Sequence, residues 1–215
     1  MPIESRISPN FSDDKLKTGS LDDLIDVFED RLKYWLLEPA KALLGFPFGE
    51  VAALNLLFSY FEACAIYGKG EDSKKRSKEF FRAGFIEVFL KKSGYSESLL
   101  SRIADMLYDE ARCGLFHEGM LREHIFFGNA PGELLITVPR IDGKPDETGP
   151  IKSVLIDPRK LYIVVERHVT QYVKSLRDPS NAELRENFKR AVDLRWRINE
   201  PDGIIGISEE EFLKR

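Results

Sequence analysis

The stretch EVAALNLLFSYFEACAIY, residues 50–67, decides the fold because it is apolar on nearly all sides of a helix. Such a helix is typical of the centre of a helical bundle, where neighbouring helices cover every face. Asn55, Ser59 and Glu62 interrupt the stretch, so it falls short of the roughly 20 apolar residues of a membrane span. We therefore expect a buried helix that is closed by Gly68, and no association with a membrane.

Amphipathic helices flank this central helix on both sides. Ser20 is typical of an N-cap, and the apolar residues after it recur at helical spacing, so the first helix ends near Pro39 or Gly45. After the central helix a third amphipathic helix follows. A fourth begins at Ser96 or Ser98 and runs into the segment Arg112 to His117.

Composition places the chain among ordinary globular proteins. It has 215 residues, of which 43% are hydrophobic and 32% charged, a size at which one domain is expected. The net charge of -4 argues against a broad surface that binds nucleic acid by neutralising phosphates, although a small cationic pocket stays possible. Cys64 and Cys113 are too few for a disulfide framework, and no secretory pattern opens the chain. These features predict a cytoplasmic protein.

The pattern changes after the fourth helix. Two short β-prone runs, Glu133 to Pro139 and Ile151 to Ile156, predict a hairpin with a long tip, and Asp157 followed by proline begins a further helix. The fold class is therefore mainly α, an antiparallel helical bundle with a β-hairpin insertion and C-terminal helices. The predicted segments are a flexible N-terminal arm (1–19), a helical core (20–127), the hairpin insertion (128–157) and C-terminal helices that complete the same domain (158–215).

Arg112 and His117 combine a permanent positive charge with a side chain that titrates near neutral pH. An imidazole can take the proton of a ribose 2′-hydroxyl or give one to the leaving 5′-oxygen, while a guanidinium stabilises the charge on the phosphorane. This pair could therefore cut RNA without a metal and leave a 2′,3′-cyclic phosphate. The alternative is a surface ion pair of Asp109 with Arg112, three residues on.

The stretch EARCGLFHEGM, residues 110–120, resembles the signature of the HEPN superfamily, whose members carry an arginine and a histidine with four to six residues between them. The resemblance implies a HEPN-like helical core, and a homodimer in which two motifs face each other. It also implies a metal-independent endoribonuclease with an RNA substrate, in which Arg112 stabilises the scissile phosphate and His117 is the acid or base. Toxin–antitoxin, phage-defence or RNA-processing systems are the settings implied, with an antitoxin or regulatory protein as a possible partner.

Two features leave a second interpretation open. Residues five apart on a regular helix point about 140° away from each other, so either Gly114 loosens the helix or a second subunit completes the site, and we expect the second. The residue after the arginine, often asparagine or aspartate in the family, is Cys113 here. Cys113 and the acidic composition favour the alternative function, a catalytically inactive HEPN-like module that binds RNA or protein or acts as a scaffold.

The polar residues of the central helix are candidates for a supporting role. Asn55, Ser59 and Glu62 lie at positions i, i+4 and i+7, so they form one stripe that needs partners if it is buried. The stripe either faces the solvent or faces the Arg112 region. In the second case Glu62 could orient or charge-balance Arg112 or His117.

Two further polar residues follow His117. Glu118 is adjacent, and His124, seven residues on, shares the helical face of His117 and either assists or lies at the surface. The pair His117-Glu118 begins like a zinc-protease motif, but Leu121 occupies the position of the second histidine. We therefore expect no metal, and because no glycine-rich phosphate loop is present, no cofactor.

Overall fold

A computed structural model of the protein describes residues 7–12, 14–17, 19–90, 94–196, 210 and 214. Within these ranges the fold is mainly helical, as predicted, with a small mixed sheet. The helices are α1 (Asp14–Lys17), α2 (Leu21–Arg31), α3 (Glu38–Gly45), α4 (Glu50–Lys69), α5 (Ser77–Phe89), α6 (Glu97–Met106), α7 (Cys113–Glu118), α8 (Pro158–Arg177) and α9 (Ala182–Trp196). Two π-helical turns, Leu32–Leu37 and Leu107–Arg112, join α2 to α3 and α6 to α7.

Helix α4 lies at the centre of the fold, as its apolar sequence predicts. Helices α3, α5, α8 and α9 pack against it, and Leu57 and Phe61 are fully buried. The helix continues to Lys69, and Gly70 rather than Gly68 adopts the left-handed conformation at its end. Among the described helices α4 alone is long and apolar enough to cross a membrane. However, four helices pack against it, as is typical of a core helix in a soluble protein.

Helices α4 and α5 approach each other so closely that a Cβ atom at Gly84 would lie 1.8 Å from the carbonyl oxygen of Phe61. We expect Gly84→Ala to lower the free energy of unfolding, measured with urea, by about 1–3 kcal/mol or more, because the two backbones must separate. Gly68→Ala on α4 is a matched control, since no described atom lies within 4 Å of the added Cβ. Equal losses in both variants would contradict the close approach at Gly84.

The first predicted helix passes Pro39 without stopping and ends at Gly45, the later of the two expected ends. Ser20 stands at its N-cap position, as predicted. A proline inside a helix lacks the backbone N–H and its ring crowds the preceding turn. The π-helical turn Leu32–Leu37 lies directly before this point, so the helix widens where the ring would otherwise clash.

The two predicted hairpin strands are present and pair antiparallel, β2 (Leu134–Thr137) with β5 (Ser153–Ile156). A third strand, β1 (Ile125–Phe127), was not predicted; it pairs parallel with β5, which becomes the central strand. Residues 125–127, expected in the helical core, therefore belong to the sheet. Three residues are too few for an alternating pattern to be recognised in the sequence. The hairpin tip carries a second pair, β3 (Arg140–Ile141) with β4 (Lys144–Pro145).

The described part of the N-terminal arm is attached to α2. Asn10 donates to the Asp30 carboxylate from its backbone N–H at 3.0 Å and from its side-chain amide at 2.6 Å, and Arg31 Nε donates to the Ile7 carbonyl at 2.7 Å. Burial would raise the pKa of Asp30, but the hydrogen bonds from Asn10 help to outweigh it, and the pKa is lowered. Ile7 and Asn10 of the predicted arm are thus bonded to α2. Residues 1–6, 13 and 18 of that prediction lie outside the described ranges.

The C-terminal helices complete the helical core. Asp157 caps α8, since its Oδ1 accepts from the backbone N–H groups of Arg159 and Lys160 at 3.1 and 3.2 Å. Val165 of α8 and Phe188 of α9 belong to the same buried cluster as the apolar residues of α4. Helices α4, α8 and α9 thus share one core. Most of the predicted segment after residue 196 lies outside the described ranges.

Candidate active site

Arg112 is the last residue of the π-helical turn between α6 and α7. Its guanidinium carbon lies 5.3 Å from the ring centroid of Tyr108 and 5.2 Å from that of Phe116, one helical turn before and after it. The electron-rich faces of aromatic rings attract a positive charge. The Arg112 side chain is 26% exposed, so its position is restrained while part of it stays open to a ligand.

Glu62 of α4 approaches Arg112, and its Oε2 lies 3.5 Å from Arg112 Nη2. Its Oε1 accepts from the hydroxyl of Ser73 at 2.7 Å, and the Ser73 oxygen accepts in turn from Arg195 Nη2 at 2.9 Å. The carboxylate is therefore held from two sides. Because 3.5 Å is the outer limit of a hydrogen bond, the contact acts mainly through charge. It leaves other donors of the guanidinium for a second anion.

The polar stripe of α4 and Arg112 line one shallow pocket of about 370 Å³. The structure thus brings together Asn55, Ser59, Glu62 and Arg112, four of the residues that the sequence singles out. The Ser59 hydroxyl donates to the carbonyl of Leu56 at 2.6 Å, and Asn55 is exposed at the rim. Both alternatives hold in part, since Glu62 contacts Arg112 while Asn55 and Ser59 are exposed to solvent at the pocket.

His117 does not line this pocket. It is exposed near the end of α7, with its ring edge-to-face against Phe116 at a centroid distance of 5.3 Å. Helix α7 is a regular α-helix from Cys113 onward, and the irregular turn lies before Gly114, at Leu107–Arg112. Within a single chain, the imidazole and the guanidinium do not share a cleft.

The chain folds back onto α7 directly after the motif. A Cβ atom at Gly114 would lie 2.6 Å from the carbonyl oxygen of Met120, so only glycine leaves room for this turn. The backbone N–H of Arg122 donates to the carbonyl of Glu110 at 3.0 Å, and its Nη1 donates to that of Asp109 at 3.0 Å. Both carbonyls belong to the π-helical turn. The returning segment thereby holds the helical turn that ends at Arg112.

The other predicted supporting residues have partners elsewhere. Glu118 accepts from Arg122 Nε at 3.1 Å, and this hydrogen bond lowers the pKa of Glu118. His124 lies beyond the end of α7, and its Nδ1 is 3.0 Å from a carboxylate oxygen of Glu110. The expectation that His124 shares the helical face of His117 is wrong, because the helix stops at Glu118. Neither residue points to a role in the chemistry.

Three residues of the site were not predicted from the sequence. Tyr108 and Phe116 stand four residues on either side of Arg112, a spacing that places their rings over its side chain. This spacing can be seen in the sequence. Ser73, which holds Glu62, is buried although it lies in a charged segment whose composition is typical of a solvated loop. No local pattern marks it.

The described residues offer no group of three histidine, cysteine, aspartate or glutamate side chains that could hold a metal ion. The chemistry that the arrangement supports comes from Arg112 and His117 themselves. A restrained guanidinium can hold a phosphate, and an exposed imidazole can move a proton. For both to act on one phosphate, the imidazole must come from another chain.

Comparison of the chain with models of known protein families, with curated proteins and with solved structures finds no match. The resemblance to the HEPN superfamily therefore depends on residues 110–120 and on the helical setting of that motif. Function has to be argued from the side chains themselves.

Proposed function

We propose that the protein is a metal-independent endoribonuclease of HEPN type that acts as a homodimer. Arg112 of one chain binds the scissile phosphate, and His117 of the other chain takes the proton from the ribose 2′-hydroxyl. The 2′-oxygen then bonds to phosphorus, the bond from phosphorus to the 5′-oxygen breaks, and the 5′-oxygen takes up a proton from water as it leaves. The products are a 2′,3′-cyclic phosphate and a 5′-hydroxyl.

The observation that carries this proposal is an apolar surface beside the motif. Phe116, Met120, Phe126 and Phe127 are 67%, 61%, 53% and 43% exposed, and the last three surround one shallow depression. Apolar side chains that cluster on a surface are typical of a protein interface. In a twofold dimer each chain presents the same face, and an axis that passes beside Phe116, whose ring contacts both Arg112 and His117, brings the two motifs together. A second copy supplies the imidazole that one chain holds away from the guanidinium.

The second candidate is a binding or scaffold module without catalysis. The contact of Glu62 with Arg112 favours it, because a carboxylate at 3.5 Å offsets the positive charge that a phosphate would need. Cys113 in place of the usual polar residue favours it too. In that case the apolar surface binds an RNA-associated or regulatory protein, such as an antitoxin, instead of a second copy.

The proposal is tested by incubating the full chain with mixed RNA in the presence of EDTA. We expect cleavage that EDTA does not slow, with 5′-hydroxyl ends that a polynucleotide kinase labels directly and 2′,3′-cyclic phosphate ends that a poly(A) polymerase extends only after the phosphate is removed. Products with a 5′-phosphate would contradict the proposed chemistry. Intact RNA that nevertheless stays bound to the protein would support the binding module.

A further inference from the structure

A second cavity, of about 460 Å³, lies on the other side of α4 from the Arg112 pocket. Cys64 and Gly68 line it from α4, and by helical spacing they lie on the face opposite Glu62. Helices α5 and α8 both pack on α4 but hardly touch each other. Helix α4 therefore forms the floor of a slot with two helical walls, and the volume is in the range of small-molecule sites.

The floor of the cavity is smooth and uncharged because its residues are small. Cys64, Ala65 and Gly68 from α4 and Ala83 from α5 contribute to it. Burial raises the pKa of the Cys64 thiol to about 12, so this group stays neutral. A Cβ atom at Gly68 would meet no described atom within 4 Å. Larger side chains on the floor would fill the space, and a flat, uncharged molecular face fits it.

The wall from α8 carries two polar side chains, His168 and Gln171. Tyr60 is buried, and burial raises the pKa of its phenol, so the hydroxyl keeps its proton. This hydroxyl forms a hydrogen bond of 2.8 Å with Nδ1 of His168, which fixes the imidazole ring beside the cavity. Gln171, one turn further on, adds an amide that donates and accepts.

The opposite wall carries a carboxylate. Glu87 of α5 lines the cavity and forms no ion pair with a described residue. Lys69, at one end, has its ammonium group 5.2 Å from the ring centroid of Phe80, which engages its charge. The carboxylate repels a phosphate and can accept from the hydroxyls of a sugar.

We propose that this cavity binds a free nucleoside, with the base against the small-residue floor and its polar edge at Gln171 and His168. A nucleobase is flat and uncharged, and its edge carries donors and acceptors. An amide side chain pairs with two edge atoms of adenine, so adenosine is the first candidate. Glu87 accepts from the ribose hydroxyls and disfavours the corresponding nucleotide. The site is separate from the Arg112 pocket and does not depend on the proposed ribonuclease activity.

Isothermal titration of the full chain with adenosine, uridine and adenosine monophosphate tests the proposal. We expect adenosine to bind, and uridine and the nucleotide to bind at least about tenfold more weakly. Gly68→Leu fills the floor, and Gln171→Leu removes the amide from an exposed position, where the fold tolerates the change. Each should weaken the binding of adenosine at least about tenfold.

Gly45→Leu is the matched control, since Gly45 is also a helical glycine with no described atom within 4 Å of an added Cβ, but it lies away from the cavity. It should bind adenosine as the wild type does. Absence of adenosine binding in the wild type overturns the proposal. Unchanged affinity in the two cavity variants overturns it as well. If the chain binds adenosine but cleaves no RNA, the result supports this site and contradicts only the proposed ribonuclease function.

Discussion

Replacing His117 with alanine is expected to lower the rate of RNA cleavage by about 10²–10⁴-fold, the usual loss when a catalytic acid or base is removed. The imidazole is the group that moves a proton in the proposed reaction, and His117 is the one histidine in residues 110–120. Because His117 is exposed at the end of α7, the variant should unfold at the same urea concentration as the wild type. Single-turnover cleavage in the presence of EDTA measures the effect.

His124→Ala is the matched control, because His124 is equally an exposed histidine but is held by Glu110. It should keep the cleavage rate of the wild type. If the His117 variant cuts RNA at the same rate as the wild type, His117 is not the catalytic imidazole and the proposed HEPN-type mechanism fails. A loss of cleavage in the His124 variant alone would assign the catalytic imidazole to His124 and not to His117.

Replacing Arg112 with alanine is expected to lower the cleavage rate by about 10²–10³-fold, as removal of a donor to a developing negative charge commonly does. The guanidinium is restrained between Tyr108 and Phe116 and approached by Glu62, so its donors are already oriented when a phosphate arrives. Alanine removes both the charge and this orientation. The measurement is again single-turnover cleavage, with urea unfolding as a check of the fold.

Arg112→Lys separates charge from geometry. Lysine keeps the positive charge but lacks the planar set of donors that fits a phosphate, so only part of the activity should return. Full activity in the lysine variant would mean that orientation by the two rings and Glu62 is unimportant. Unchanged cleavage in the alanine variant would show that Arg112 is structural, as the binding-module alternative holds.

Local signals were enough to predict most of the long helices and several of their starts. Apolar spacing predicted α4 as the central helix, and the caps at Ser96 and Asp157 are made by the side chains that the sequence singles out. The two hairpin strands followed from their β-prone composition. The placement of Glu62 beside Arg112 followed partly, because a polar stripe on an apolar helix has to find partners.

Features that depend on distant segments were not predicted. Arg122, which follows α7 in the chain, bonds to two backbone carbonyls of the π-helical turn that ends at Arg112. Strand β1 has only three residues, and it forms by pairing with β5. Ser73 is buried only because α4 and α9 close over it through Glu62 and Arg195. In each case the partner lies more than ten residues away along the chain. At that separation the spacing of residues within one helix or strand does not predict the contact.

The central claim is that Arg112 of one chain and His117 of its partner act on the same phosphate. Co-expressing the Arg112→Ala and His117→Ala chains and assaying the mixed dimers tests it most directly. Each mixed dimer then holds one site with both residues intact and one with neither, so random pairing should restore about a quarter of the wild-type activity. Activity no higher than that of the two variants assayed separately would contradict the claim.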